Sequence, residues 1–153
     1  MFRLQQEAID CARLNRELSH EAAGALVSFE GRIRNTNEGR SVDFLEYEAY
    51  PGLAEKEMAR IIEEAGQRFP LLGLACVHRT GRLEIGDVAV WVGALSGHRG
   101  EAFEACQFVI DELKFRVPIW KKEHYSDGDA EWVNCARCEE HASHRHPSRK
   151  HTD

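Results

Sequence analysis

A cluster of basic side chains surrounds a proline in the segment LKFRVPIWKKEHY, residues 113–125. The chain as a whole carries a formal charge of −6, so this positive charge is a local feature. Two explanations are open. The basic residues form the solvated last turn of a helix, where the helix dipole favours cations, or they bind an anion and take part in proton transfer. The residues concerned are Lys114, Arg116, Lys121 and Lys122.

Two further groups of basic or titratable residues lie where the chain must turn. The first belongs to the strand-like segment ALVSFEGRIR and the loop after it, and the second precedes a helix in the segment SGHRGE. A helix N-terminus presents unpaired N–H groups and the positive end of the dipole, which together suit an anion. Taken singly, strand arginines usually contact water, so the residues alone predict no more than an anion-binding domain. The groups are Arg32, Arg34 and Arg40, and Gly97, His98 and Arg99.

The composition is that of a soluble protein with one domain. The chain has 153 residues, 42% of them hydrophobic, which suffices for a buried core. Its net negative charge argues against a general nucleic-acid-binding protein. No apolar run reaches the roughly 20 residues that a membrane span requires, and the N-terminus lacks the apolar core of a signal peptide. We therefore expect a cytoplasmic protein that binds neither membranes nor nucleic acid, with its five cysteines as free thiols.

Hydrophobic periodicity predicts an α+β domain with a largely antiparallel sheet and helices packed on it. Alternation with a period of two marks the strands, and apolar residues along one face mark two long helices. Pro70 and Pro118 end these helices, because proline disfavours the helical conformation in the residue before it. The segment GRLEIGD is expected to be a hairpin-like connection. The predicted elements are a short helix over 9–18, strands over 25–34 and 42–49, a helix over 53–69, strands over 72–79 and 87–95, and a helix over 100–116.

The segment after residue 134 differs in composition from the rest of the chain. It contains almost no large apolar side chain, so we expect a domain over 1–134 and a mobile polar tail over 135–153. Its cysteines and histidines are possible zinc donors, but all lie within twelve residues of one another. Structural zinc sites usually draw a second ligand pair from farther along the chain, so we expect no bound metal. The candidate donors are Cys135, Cys138, His141, His144 and His146.

Five blocks of sequence, in order and with matching gaps, resemble the family of large, catalytic subunits of molybdopterin synthase. The resemblance runs from about residue 25 to residue 133, and the blocks are GALVSFEGRIRN, LEYEAYPGLAEKEM, VHRTGRLEIGD, HRGEAFEACQFVIDELKFRVPIWKKE and DAEWV. It implies an α/β hammerhead fold and a homodimer. It also implies that each subunit receives the flexible C-terminal Gly-Gly tail of a small ubiquitin-like sulfur-carrier subunit, which gives a heterotetramer.

The activity that this resemblance implies is sulfur transfer. The carrier tail ends in a thiocarboxylate, and its sulfur passes to cyclic pyranopterin monophosphate (precursor Z). Two transfers generate the dithiolene of molybdopterin, and the large subunit itself requires no metal or other cofactor. Two alternatives stay open: a non-catalytic module that binds an anion or a carrier tail, and a metal-responsive protein that acts through its Cys/His tail.

The resemblance also assigns roles to residues near the thiocarboxylate. Lys114 and Lys121 match the two catalytic lysines, and Phe29 and Arg34 match strand residues that line the same pocket. Cations suit this site, because a thiocarboxylate and a cyclic phosphate repel one another unless positive charge lies between them. We expect Lys114 to act as general acid–base or to bond transiently to the carrier carboxyl. We expect Lys121 to bind the carrier terminus.

The phosphate of the pterin is assigned to a second set of residues. His98 and Arg99 match a His-Arg pair that helps to bind this phosphate, at a site shared across the dimer. Arginine suits the phosphate because its planar fork donates two hydrogen bonds at once. Arg116 and Lys122 are expected to add supporting positive charge for substrate binding. The Cys/His tail has no counterpart in the family pattern, so the role of Arg137 stays open.

Overall fold

The computed structural model describes residues 1–135, which form three helices and nine strands. The predicted α+β class with mainly antiparallel pairing is confirmed. The elements are β1 (Phe2–Gln5), α1 (Cys11–Glu17), β2 (Ala25–Arg32), β3 (Thr36–Asn37), β4 (Arg40–Ala49), α2 (Pro51–Arg68), β5 (Leu71–Arg79), β6 (Gly81–Glu84), β7 (Val88–Ser96), α3 (Arg99–Arg116), β8 (Ile119–Tyr125) and β9 (Ala130–Asn134).

The strands form two sheets. In the first sheet the order is β1-β5-β7-β2, where β1 runs parallel to β5 and the other neighbours are antiparallel. In the second sheet the order is β3-β4-β8-β9, and β6 also pairs with β4. All of these pairings are antiparallel. The second sheet therefore places β8 between β4 and β9.

The first sheet has a hydrophobic cluster on each face, which explains the continuous hydrophobic run in β7. Successive side chains of a strand point to opposite faces. On one face Trp91 packs with Leu14 of α1. On the other face Val92 belongs to the main core, which also contains Leu113 of α3 and Met58 of α2. The amphipathic pattern of the two long helices is thus satisfied by burial in one shared core.

A short extended link connects α3 to the second sheet. α3 ends at Arg116, Val117 has extended backbone angles (φ −81°, ψ 129°), and β8 begins at Ile119. Pro118 lies in this link and cannot continue the helix. The predicted end of the helix before Pro118 is confirmed. The link carries the basic segment 113–125 from a helix directly into the interior of a sheet.

Several strands differ from the prediction made from sequence. The prediction omits β1, β3, β8 and β9, and it treats GRLEIGD as a connection, whereas its first four residues form β6 and pair with β4. β1 has only four residues, too few for a periodic pattern. β8 has charged residues at both 121 and 122, so it lacks the alternation of apolar and polar residues by which strands are recognised.

The described chain ends at Cys135, which is buried in the main core. The remainder of the predicted polar tail, residues 136–153, lies outside the described residues. Within residues 1–135, no helix has both the length and the apolar composition that crossing a membrane would require.

Gly93 in β7 leaves room for the fully buried ring of Trp91. A Cβ at position 93 would lie 2.2 Å from Trp91 Cη2, so we expect Gly93→Ala to lower the free energy of unfolding by about 3 kcal/mol in urea denaturation. Gly66→Ala is the control. Gly66 lies in α2, and a Cβ there would extend into open space, so alanine is expected to add about 0.5 kcal/mol. Equal effects of the two substitutions would contradict this packing.

Candidate active site

The alternation of β8 separates its two adjacent lysines. Lys121 lies opposite Tyr47 of β4 in the ladder, on the same face of the strand as the buried Ile119. Lys122 lies on the other face, where its ammonium is 5.5 Å from the centroid of the Trp132 ring. Lys121 is therefore the lysine that faces the interior. We do not count Lys122 among the substrate-binding residues, because it points away from Lys121.

A cavity of about 170 Å³ is formed by β4, β8 and the segment after β2. Arg34 and Lys121 both line it, so the structure brings together two of the cations expected at the thiocarboxylate. The side chain of Arg34 is exposed and forms no ion pair with another of residues 1–135. Its guanidinium is therefore available to an anion. The lining also includes Val42, Leu45, Tyr47 and Glu123.

Glu123 provides the negative charge beside Lys121. Lys121 Nζ lies 3.2 Å from Glu123 Oε1. Asn37 donates a hydrogen bond to Glu123 Oε2 at 2.6 Å, and the Tyr125 hydroxyl donates to the same oxygen at 2.5 Å. Burial opposes ionisation of this carboxyl, but the hydrogen bond from Tyr125 and the charge of Lys121 outweigh it and lower the pKa of Glu123. Lys121 and Glu123 therefore face the cavity as an ion pair.

Lys114 approaches the same region from the last turn of α3. It lies close enough to His78 of β5 for its positive charge to disfavour protonation of the imidazole. The ring of His78 contacts the ring of Tyr47 edge-on, with the centroids 4.9 Å apart. Tyr47 in turn neighbours Lys121 across the β4–β8 ladder. His78 and Tyr47 thus connect the two lysines, one of which comes from a helix and the other from a strand.

His78 is a neutral, fully buried histidine. Its Nδ1 lies 2.7 Å from the carbonyl oxygen of Arg79, so Nδ1 carries the proton and donates it to this bond. Nε2 has no hydrogen-bond partner among the described residues. Burial and, second to it, the charge of Lys114 lower the pKa of His78 to about 3. Its neutral state limits the positive charge beside Lys114.

His98 and Arg99 lie at the opposite end of α3 from Lys114. His98 is the N-cap of α3 and Arg99 is its first residue, and both are exposed. The helical rise of about 1.5 Å per residue separates His98 from Lys114 by about 24 Å along the axis. Within one chain, the structure does not bring this pair to the lysines.

Phe29 and Arg116 differ in their availability to a ligand. Phe29 lies on β2, at the edge of the first sheet, and is 40% exposed. The Arg116 guanidinium is bound by Glu57 at 2.7 Å, by Glu64 at 2.6 Å and by Glu112 at 3.4 Å. The pairs with Glu57 and Glu64 join α3 to α2. We therefore assign Arg116 to helix packing and do not count it among the substrate-binding residues.

Several residues of this site were not identified from the sequence. Glu123 and Tyr125 share one face of β8 with Lys121 at a spacing of two, and this pattern can be seen only once β8 is recognised as a strand. Asn37 lies 86 positions from Glu123, so only the fold brings the two together. The same holds for Tyr47 and His78, which come from β4 and β5.

A larger, open groove of about 870 Å³ adjoins this site. Tyr47 lines both cavities, but the groove contains neither Lys114 nor Lys121. Its lining has four glutamates and two arginines, whereas the smaller cavity has one glutamate and three cations, Arg32, Arg34 and Lys121. The smaller cavity, with Arg34 and Lys121, is therefore the better site for an anion.

Metal binding has no support in the described residues. Residues 1–135 contain no group of three or more His, Cys, Asp or Glu side chains that could bind a metal ion. Of the Cys/His donors considered above, Cys135 is buried in the core, and the others lie outside the described residues.

Comparison with known proteins identifies the family. The family model described as MoaE protein matches residues 4–116. The chain belongs to the MoaE protein family. The predicted resemblance to the molybdopterin synthase large subunit is thereby confirmed at the level of the family.

Individual relatives of this MoaE-family protein agree with that assignment. A protein of Pseudomonas aeruginosa PAO1 named molybdopterin synthase catalytic subunit is 46% identical over 144 residues, which cover 93% of this chain and 95% of that relative. The crystal structure of molybdopterin synthase from Staphylococcus aureus has a TM-score of 0.80 at 37% identity, covering 86% of this chain and 95% of that chain. A protein–protein complex of subunits 1 and 2 of molybdopterin-converting factor from Helicobacter pylori 26695 contains a chain that shares the fold, with a TM-score of 0.70 at 21% identity, over 87% of this chain and 88% of that one.

The buried state of His78 predicts how stability depends on pH. Because the pKa of His78 falls from 6.5 to about 3 on folding, the unfolded chain binds this proton first as the pH decreases. The stability that the neutral His78 contributes to the folded state is complete above pH 6.5 and is lost progressively below it. Between pH 6.5 and 4.5 we expect the free energy of unfolding to fall by about 2 kcal/mol more in the wild type than in His78→Phe, measured by urea denaturation. Parallel pH profiles for the two proteins would contradict a buried, neutral His78.

Proposed function

We propose that this MoaE-family protein is the catalytic subunit of a molybdopterin synthase. Sulfur passes from the C-terminal thiocarboxylate of a small ubiquitin-like carrier to precursor Z, and two transfers form the dithiolene of molybdopterin. The observation that supports this proposal best is the arrangement of cations. Arg34 and Lys121 line one cavity, and His78 and Tyr47 connect that cavity to Lys114.

Electrostatics explains why such a reaction needs these cations. Two unit negative charges 4 Å apart repel by about 4 kcal/mol at the effective dielectric constant near a protein surface. The thiocarboxylate and the cyclic phosphate are both anions, so the site must supply positive charge between them. Arg34 can donate two parallel hydrogen bonds to an anion, since no carboxylate among residues 1–135 binds it.

The two lysines are proposed to have different roles because their surroundings differ. Lys121 is paired with the Glu123 carboxylate, which holds its ammonium group beside the cavity and suits it to bind the Gly-Gly terminus of the carrier. Lys114 forms no ion pair with another of residues 1–135 and lies beside the neutral His78. Its ammonium group is therefore available to transfer a proton to the reacting groups. After losing that proton, the neutral amine can instead bond to the carboxyl carbon of the carrier as the thiocarboxylate sulfur leaves.

The position of the His98-Arg99 pair leads us to propose that the enzyme works as a homodimer. The pair is about 24 Å along α3 from Lys114 of its own chain, too far to share a small substrate with it. A two-fold axis can bring the N-terminus of α3 in one subunit to the lysines of the other. In this arrangement the pterin phosphate binds to His98 and Arg99 of one subunit and reacts beside Lys114 and Lys121 of the other. Phe29 contacts the carrier tail from the exposed edge of β2.

A non-catalytic module that binds a carrier tail is the alternative function. It requires the same cavity and the same Arg34 and Lys121, but it gives no role to Lys114. Two results therefore distinguish the two functions: whether product forms, and whether changing Lys114 affects its formation. One set of assays provides both results.

Lys114→Ala tests the catalytic proposal. With thiocarboxylated carrier and precursor Z, we expect the wild type to form molybdopterin and Lys114→Ala to be at least about 100-fold slower, because a proton-transferring group is lost. Lys56→Ala, which changes an exposed lysine of α2, is the matched control and is expected to keep the wild-type rate. Molybdopterin formation is followed in single turnovers.

Two outcomes would contradict the catalytic proposal. If the wild type binds the carrier but forms no product with a competent carrier, the binding module is the better description. If Lys114→Ala forms product at the wild-type rate, Lys114 has no part in the chemistry, whatever the family.

A heterodimer of two inactive variants tests the shared site. We combine Lys114→Ala in one subunit with His98→Ala/Arg99→Ala in the other, by co-expression with two different affinity tags. If each site takes its lysines from one subunit and its His-Arg pair from the other, one site of this heterodimer is intact. We then expect about half of the wild-type activity, whereas each variant homodimer is inactive. Failure of the heterodimer to recover activity would contradict a site shared between subunits.

A further inference from the structure

Two residues outside the proposed reaction site determine the orientation of Glu123. The Tyr125 hydroxyl donates to Glu123 Oε2 at 2.5 Å, and Asn37 Nδ2 donates to the same oxygen at 2.6 Å. Asn37 Nδ2 also donates to the Tyr125 hydroxyl oxygen at 3.0 Å. The other carboxylate oxygen, Oε1, lies 3.2 Å from Lys121 Nζ. We call these four residues the Glu123 network: Asn37, Lys121, Glu123 and Tyr125.

Both neutral donors of the network are the last residues of strands, at one end of the second sheet. Asn37 lies in the β3–β4 hairpin, whose turn has left-handed backbone at Glu38 (φ 50°) and Gly39 (φ 77°). Tyr125 is the last residue of β8, and the Arg40 guanidinium covers its ring at 3.7 Å from the centroid. The two donors are therefore fixed by the turn and by stacking rather than by a ligand.

The surroundings of Glu123 have opposing effects on the ionisation of its carboxyl group. Burial favours its neutral form. Glu131 lies opposite Glu123 across the β8–β9 ladder. The hydrogen bonds of Tyr125 and Asn37 and the charge of Lys121 favour the carboxylate. The charged and titratable groups that surround it are Lys121 and Tyr125 on β8, Glu131 on β9, Arg40 on β4, and Arg32 and Arg34 at and after the end of β2.

We propose that Asn37 and Tyr125 are positioning residues of the sulfur-transfer site, an inference that rests on the function proposed above. Their hydrogen bonds keep the Glu123 carboxylate ionised and in one orientation, with Oε1 directed at Lys121. The ion pair then holds the Lys121 ammonium group at the cavity, where it binds the terminus of the carrier. Removing either donor takes a partner from a mostly buried carboxylate oxygen, which favours protonation of Glu123 and weakens its ion pair with Lys121.

Two conservative variants and a neighbouring control isolate the donors. Tyr125→Phe retains the ring beneath Arg40 and removes only the hydroxyl. Asn37→Asp retains the size of the side chain and places a second carboxylate against Glu123. Ser126→Ala is the control, because its hydroxyl donates to Asp43 at 2.6 Å and has no bond to Glu123. All three lie at the same end of the sheet.

The first measurement is the pH dependence of kcat/KM for thiocarboxylated carrier with the reconstituted enzyme. At pH 7 we expect KM for the carrier to rise about tenfold in Tyr125→Phe and further in Asn37→Asp, with little change in kcat. The acidic limb of the profile moves to higher pH in both variants and stays in place in Ser126→Ala. A loss of activity that is equal at all pH values, or equal in the control, would overturn the positioning role.

The second measurement needs neither carrier nor precursor Z. The side-chain carboxyl of Glu123 is titrated by carbon-13 NMR in the full chain, and we expect its pKa to be higher in Tyr125→Phe and Asn37→Asp than in the wild type. An unchanged titration would overturn the proposal whatever the activity. If the titration shifts but the wild type forms no product, the proposed function is overturned, and control of Glu123 by the two donors is supported.

Discussion

The ion pair between Lys121 and Glu123 on the inner face of β8 is the interaction on which the candidate site depends. The inner face of a strand normally buries apolar side chains, and here it carries two charges that are 22% and 12% exposed. Partly buried charges are stable only when they are paired and hydrogen-bonded. Each carboxylate oxygen of Glu123 has a partner, so Lys121 can remain charged beside a cavity without destabilising the sheet.

The rest of the domain places a second lysine near this pair. α3 is anchored by burial of Leu113 and by the ion pairs from Arg116 to Glu57 and Glu64, and Lys114 lies between these anchors. The extended link at Val117 and Pro118 then turns the chain into β8. One short segment thus supplies both lysines, from a helix and from a strand. Arg116, which by its charge alone resembles a ligand-binding residue, acts in packing.

The sequence predicted the parts of the fold that depend on local periodicity, and it missed those that depend on distant contacts. α2 and α3 were predicted because their apolar residues recur at helical spacing. β8 was missed because its inner face is charged. Without that strand, the spacing of two residues that places Lys121 and Glu123 on one face could not be recognised. The two shortest ion pairs of Arg116 join it to residues 52 and 59 positions away, so no local pattern could show how fully its charge is neutralised. Resemblance to a family supplied Lys114 and Lys121, whereas Asn37 and Tyr125 came from the structure alone.

The central claim is that Lys114 and Lys121 serve one anionic terminus in the cavity beside Tyr47. A crystal structure of this chain with a small carrier protein ending in Gly-Gly tests that claim most directly. We predict that the terminal carboxylate lies about 3 Å from Lys121 Nζ, with Arg34 and Lys114 as its next cationic neighbours. A terminus bound in the larger groove lined by Glu46 and Arg82, away from both lysines, would contradict it.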